Sequence, residues 1–204
     1  MNKTIMEITS NPFPNYGYIK TKLPYTLYKS LLKECLNIKK NTKHLTALSS
    51  KGTPEHFYVE KNYVDLINFV KKMHNEYEKK FPGAEDIKIL TDNLPFAYGK
   101  PWVNIQKENQ FIPIHTHGGV LSYNIWIKIP YNGNEDPYLG NFTFVYSDIL
   151  GNTVDKIIKL SSKDEGTFIM FPSKLNHLVY PFHKNKKERI SIAGNILFNS
   201  KKNI

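Results

Sequence analysis

The chain carries one cysteine in 204 residues, so neither a disulfide framework nor a cysteine-rich zinc module can be built from it. Long apolar runs are missing too: none approaches the ~20 residues of a membrane-spanning helix. The opening stretch MNKTIMEITSNPFPNYG is polar and broken by proline, unlike the apolar core of a secretory signal. No internal repeat or low-complexity tract appears. What the sequence does hold is 40% hydrophobic and 13% aromatic residues, enough to exclude general disorder. We therefore expect one soluble, cytoplasmic domain spanning 1–204.

Acidic residues are few relative to basic ones: 18 Asp+Glu against 28 Lys+Arg leave a net charge of +10. Such a balance invites a nucleic-acid partner. The lysines are scattered rather than gathered, and no helix-turn-helix or other reading motif appears, so that partner is not favoured.

Residues 24–38 place Leu27, Tyr28, Leu31, Leu32 and Cys35 at helical spacing, and 61–80 do the same with Tyr63, Leu66, Ile67, Val70, Met73 and Tyr77. Pro82-Gly83 closes the second helix. Cys35 reads as a small buried hydrophobe, and His74, at the edge of its stripe, as half-buried and structural. After about residue 86 the period changes to short β-rich runs: IKIL (87–90), AYGKPWVNIQ, LSYNIWIKI, NFTFVY, KIIKL, GTFIMF and RISIAGNILF. Turn signals at 131–134, 150–152, 164–166 and 183–185 separate them. The pattern predicts a mainly β sandwich or jelly roll over 86–200, with helices from 1–85 packed on one sheet from outside.

Three histidines fall where a site can form. His115 and His117 lie two apart in PIHTHGG, and in an extended segment such residues face the same way. His177 opens a later strand in FPSKLNHLVYPF. Imidazole suits iron, zinc, copper and nickel. Arg189 and Ser191 share one face of RISIAGNILF, a strand whose two faces both carry small or apolar residues. An arginine buried there needs an anion, and no acidic residue obviously supplies one. A bound carboxylate would, through the guanidinium fork.

This order of His-x-His, a later histidine and Arg-x-Ser resembles the 2-oxoglutarate/Fe(II)-dependent dioxygenases, in particular members carried by tailed bacteriophages. The resemblance covers about residues 98–199 and rests on WVNIQKENQFIPIHTHGGVLSYNIWIKIP and FIMFPSKLNHLVYPFHKNKKERISIAGNILF. It implies a double-stranded β-helix, cupin-like, with Fe(II), 2-oxoglutarate and O2. His115 and His177 become metal ligands, and Arg189, assisted by Ser191, receives the cosubstrate's C5 carboxylate. Asn104, whose face Gln106 shares, is a further cosubstrate contact on this resemblance, and Tyr123 is either another such contact or a core tyrosine. Trp102, Phe111, Trp126 and Phe171 become candidate cavity walls beside their plainer role as core.

One position departs from the family. The usual motif is His-x-Asp or His-x-Glu, and His117 stands where the carboxylate belongs. Three arrangements are open: a three-histidine centre, a carboxylate from elsewhere such as Asp148, or a degenerate site. The expected function is hydroxylation of a peptidyl residue or small molecule, with 2-oxoglutarate converted to succinate and CO2. Two alternatives accompany it: the same chemistry on a nucleic-acid base, which requires base flipping, and a non-catalytic cupin-like metal-binding protein. A structural β-sandwich with incidental histidines is a fourth reading. The location would be the host cytoplasm for a phage-encoded chain. The basic run HKNKKER (183–189) reads as a solvated turn or as an electropositive lip. Residues 1–60 and 131–140 carry no motif that names a substrate, and nothing in the pattern sets the oligomeric state.

Overall fold

In the computed structural model, residues 8–12, 16–41, 52–81, 96–136, 138–148, 150–183 and 186–198 are described. Two antiparallel sheets face each other. The larger runs β1 (Ile8–Pro12), β2 (Gly17–Lys22), β10 (Thr167–Pro172), β7 (Leu121–Lys128), β12 (Arg189–Phe198), β5 (Trp102–Gln106) and β3 (Glu55–Tyr58), with β4 (Phe96–Tyr98) paired to the far end of β12. The smaller runs β6 (Ile112–His115), β11 (Asn176–Val179), β8 (Phe142–Ser147) and β9 (Thr153–Ile158). From β5 onward the chain alternates between the sheets, except that β8 and β9 form a hairpin within the smaller one; this is the double-stranded β-helix that the resemblance implied.

Helices α1 (Tyr25–Asn41) and α2 (Tyr63–Lys80) cover the outer face of the larger sheet, α1 against β7 and α2 against β10 and β2. Their apolar stripes meet Leu121, Ile125, Ile127 and Phe168 in one cluster, with Phe69 edge-on to Phe168 at 5.2 Å. Each such buried side chain contributes about 1.5–3 kcal/mol. Glu34 of α1 fastens the two helices: its carboxylate accepts from the backbone N–H groups of Glu60, Lys61 and Asn62 at 2.7–3.0 Å, ahead of α2. No helix among the described residues is long and apolar enough to cross a membrane. Cys35 is buried in the helix-side core, as expected. His74 is more deeply buried than its stripe position implied, with Nδ1 2.9 Å from the Tyr98 hydroxyl and Nε2 3.3 Å from Glu78.

The N-terminal portion is not wholly helical, which corrects the reading of 1–85. It contributes β1, β2 and β3, and both β2 and β3 pair with strands of the core. Strands this short hold too few alternations to stand out beside two amphipathic helices. The run at 87–90 lies outside the described residues.

Strands β7 and β12 are buried on both faces, which explains why LSYNIWIK and RISIAGNILF read as nearly unbroken apolar runs. Outward residues join the helices, and inward residues face the smaller sheet. Registers Trp126 to Ser191, Asn124 to Ala193 and Ser122 to Asn195 define the inward row on these strands. Strand β5 extends that row with Gln106, Asn104 and Trp102 opposite Arg189, Ser191 and Ala193.

Candidate metal and dicarboxylate site

Strands β6 and β11 are antiparallel with His115 directly opposite His177, so both side chains leave the same face; their ring centroids lie 4.2 Å apart. His117 follows two residues on, in the turn leading to β7. That turn is pinned by His117 N–H donating to Ser173 O at 2.8 Å and Val120 N–H donating to Ile196 O at 2.7 Å. Gly119 permits this approach, because a Cβ there would lie 2.5 Å from Ile196 O. The potential ligand atoms of His115, His117 and His177 all fall within 4.8 Å of one another.

Hydrogen bonds orient two of the rings. His115 Nδ1 faces Pro113 O at 2.8 Å, and His177 Nδ1 faces Leu175 O at 2.9 Å. A carbonyl can only accept, so each Nδ1 carries the proton and each Nε2 keeps a lone pair for a metal. Nε2 of His117 and Nε2 of His177 are 3.1 Å apart. Two imidazole nitrogens each about 2.1 Å from one ion, at right angles, would lie about 3.0 Å apart. Burial among Phe142, Phe171 and their neighbours pushes the His177 imidazole down to about 3, and burial followed by the neighbouring His115 pushes His117 down to about 4. Both rings are therefore neutral at pH 7, the form that binds metal.

The triad opens on a cavity of about 550 Å³ that Arg189, Ser191, Asn104 and Trp102 also line. Arg189 is almost wholly buried and its hydrogen bonds go to neutral groups: Nε to the Tyr131 hydroxyl at 3.1 Å, Nη1 to Gln106 Oε1 at 3.3 Å and to Ser191 Oγ at 3.4 Å. Its Nη2 has no partner. Ser191 Oγ also accepts from Asn104 Nδ2 at 3.4 Å, and Asn104 Oδ1 accepts from the Trp102 indole at 3.1 Å. With both lone pairs engaged, the Ser191 hydroxyl hydrogen remains to be donated. An unpartnered guanidinium nitrogen beside a free hydroxyl donor, both buried, is a fitting receptor for a carboxylate.

Residues 100–195 match the family model described as "Putative 2OG-Fe(II) oxygenase". Over that segment, just under half of its length, the chain is similar to the 2-oxoglutarate/Fe(II) oxygenase family. Fe(II) and 2-oxoglutarate are the cofactors of that family, whose members are oxidoreductases. Solved structures share the fold. A prolyl-4-hydroxylase from Pseudomonas putida superposes with a TM-score of 0.62 at 14% identity, over 90% of this chain and 94% of that one. A viral collagen prolyl hydroxylase from Paramecium Bursaria Chlorella virus-1, solved with 2-oxoglutarate, gives 0.57 at 15% identity, over 90% and 96%. The epimerase SnoN of nogalamycin biosynthesis gives 0.57 at 15% identity, over 92% and 80%. No curated protein matches the chain in sequence.

Relative to the 2-oxoglutarate oxygenase pattern, the structure gathers His115, His117, His177, Asn104, Arg189 and Ser191 around one cavity. For Tyr123 the structure favours the core reading over the carboxylate contact. It borders the cavity, but its position opposite Gly194 puts its ring on the outward face, stacked on Phe168 at 5.6 Å in the helix-side core. The β-alternation decides this: Arg189 and Ser191 are odd-numbered on β12, whereas Gly194 is even. A Cβ at Gly194 would collide with the Tyr123 ring and hydroxyl. Asp148 does not join the metal ligands either. It accepts from Leu150 N–H, Asn152 N–H and Asn152 Nδ2 at 2.9–3.0 Å, and so organises the β8–β9 turn.

Of the aromatic candidates, Trp102 and Phe171 line the cavity, while Trp126 is core and Phe111 is half exposed elsewhere. Within the described part of 183–189 only Arg189 lines the cavity; Glu188 pairs with Lys39 at 2.8 Å and His183 bonds Asn109. Sequence reasoning missed Tyr131 altogether. It lies in the loop before β8, and nothing in the residue pattern signals that the loop folds back onto Arg189.

Proposed function

We propose that this chain is an Fe(II)- and 2-oxoglutarate-dependent dioxygenase that hydroxylates a peptidyl residue or small molecule. His115, His117 and His177 would hold the ion, and Arg189, with Ser191 and Asn104, would hold the cosubstrate. The observation that carries the reading is the orphaned Nη2 of Arg189, buried in the wall of the cavity onto which three convergent imidazoles open. Fe(II) and 2-oxoglutarate, when bound, supply with O2 the oxidising chemistry that hydroxylates a C–H bond and releases succinate and CO2.

The chain's own residues supply position and dryness. Arg189 and Ser191 fix the carboxylate remote from the metal, so the keto-acid end is presented to the histidines in one register. The Pro113 and Leu175 carbonyls hold two ligand rings against rotation. Phe142, Phe171 and Val179 wall the cavity and exclude water. Trp102, Tyr58 and Leu197, all partly exposed, form the side on which a substrate can enter. A volume of about 550 Å³ lies within the usual range of small-molecule sites.

A nucleic-acid base as substrate has less support. Lysines beside this region are already paired: Lys100 with Glu60, Lys107 with Glu55, and Lys39 with Glu55 and Glu188.

The test is an anaerobic titration of metal-free protein with Fe(II) and 2-oxoglutarate, watching for the visible charge-transfer band of the chelated cosubstrate. The band is expected in the wild type, absent in His177→Ala, and shifted to far higher 2-oxoglutarate in Arg189→Ala. Tight metal binding without any band would transfer the site to a cupin-like binding protein. Where the band forms, succinate formation with O2 would screen peptides against oligonucleotides.

A further inference from the structure

We propose that the metal ion and the dicarboxylate bind this chain as a mutually dependent pair, because the cavity brings no negative charge of its own. The inference rests on the metal and cosubstrate sites proposed above and adds how strongly each depends on the other.

No aspartate or glutamate is among the described residues that line the cavity. Among the described residues, the ligand group is three histidines without a carboxylate. Lys100, at the rim, is balanced by Glu60 at 2.7 Å. Arg189 is not balanced, since Tyr131, Gln106 and Ser191 are all neutral. Asp148, the carboxylate considered as a substitute ligand, is spent on its own turn.

The charges can be followed directly. A divalent ion on three neutral imidazoles keeps its whole charge of about +2, where the two-histidine, one-carboxylate arrangement would leave about +1. With Arg189 the cavity then holds about +3 in walls that are mostly buried, where like charges repel more strongly than in water. 2-Oxoglutarate brings two negative charges, one carboxylate for the ion and one for the guanidinium. Each partner removes the repulsion that opposes the other, so the two affinities rise by the same factor. A carboxylate at residue 117 would supply part of that compensation permanently and weaken the dependence.

The experiment is calorimetric titration of the metal-free full chain with Co(II) as the probe, without and with saturating 2-oxoglutarate, corrected for Co(II)–2-oxoglutarate binding in solution. The wild type, His117→Asp and His117→Glu are compared, the second variant standing in should the first fail to fold. 2-Oxoglutarate is expected to tighten Co(II) binding about 100-fold in the wild type and only about tenfold in the carboxylate variants, near the two ends of ordinary coupling. The variants should also bind Co(II) alone more tightly than the wild type does. Equal coupling in all three proteins, or wild-type Co(II) affinity indifferent to 2-oxoglutarate, overturns the charge argument and leaves the metal site standing. Failure of the wild type to bind Co(II) even with 2-oxoglutarate overturns the underlying site as well.

Discussion

Arg189 Nε donates to the Tyr131 hydroxyl at 3.1 Å, and Tyr131 in turn donates to Gly140 O, so a loop between β7 and β8 helps to aim the guanidinium proposed to receive the cosubstrate. Tyr131→Phe keeps the ring stacked on Phe182 but leaves a buried Nε–H without an acceptor. A loss of about 1–3 kcal/mol in folding stability is expected. Urea denaturation measures it, and a weaker 2-oxoglutarate affinity in the same variant would show that aim is lost along with stability.

Replacing Arg189 separates binding from folding. Arg189→Met removes an unbalanced buried charge, so the metal-free protein should melt close to the wild type or above it. Its 2-oxoglutarate affinity should fall by at least tenfold, the worth of about one charge-assisted hydrogen bond. Calorimetric titration beside a thermal melt distinguishes the two effects. A large fall in melting temperature with unchanged affinity would make Arg189 a structural residue.

Tyr123 provides the control. Its hydroxyl is buried without a partner on the outward face of β7. Tyr123→Phe should leave 2-oxoglutarate affinity unchanged and stability equal or higher, by up to about 1 kcal/mol. Gly194→Ala drives a methyl into the same ring and should cost at least about 1–3 kcal/mol. Truncating the ring as well, in Gly194→Ala with Tyr123→Val, should recover part of that loss in urea denaturation.

His74 predicts a pH dependence. Burial beside Phe96 holds its imidazole below the ordinary histidine range, against the opposing pull of Glu78. The unfolded chain takes up a proton there as pH falls through about 6.5, while the folded chain resists until lower pH. Stability contributed by the neutral ring is thus complete above about pH 6.5 and drains away below it. His74→Gln should flatten the fall in urea midpoint between about pH 6.5 and 5, measured as a difference from the wild type in the same metal-free state.

Cys35 is buried in the helix-side core, and burial pushes its thiol well above the ordinary range. Iodoacetamide at neutral pH should leave the native chain unmodified and alkylate it once in urea, as mass spectrometry would read.

Local pattern alone determined a good deal about this protein. Apolar spacing predicted helices at 24–38 and 61–80, near the observed α1 and α2, because burial of one stripe follows directly from a period of 3.6. RISIAGNILF reads as a doubly covered strand and is one, from Arg189 to Phe198. That His115, His117, His177 and Arg189 would converge was legible because strand alternation says which residues share a face, and the structure gathers them around one cavity. The tertiary structure decided the rest. Whether Tyr123 faces the cosubstrate or the helices depends on its register with Gly194, and register is a relation between β7 and β12 that neither strand contains. The partnership of Tyr131 with Arg189 depends on a loop folding back across 58 positions of chain. Which carboxylates reach the metal is also a question of place: Asp148 is close in chemistry to the missing ligand, but the hairpin it organises keeps it in its own turn.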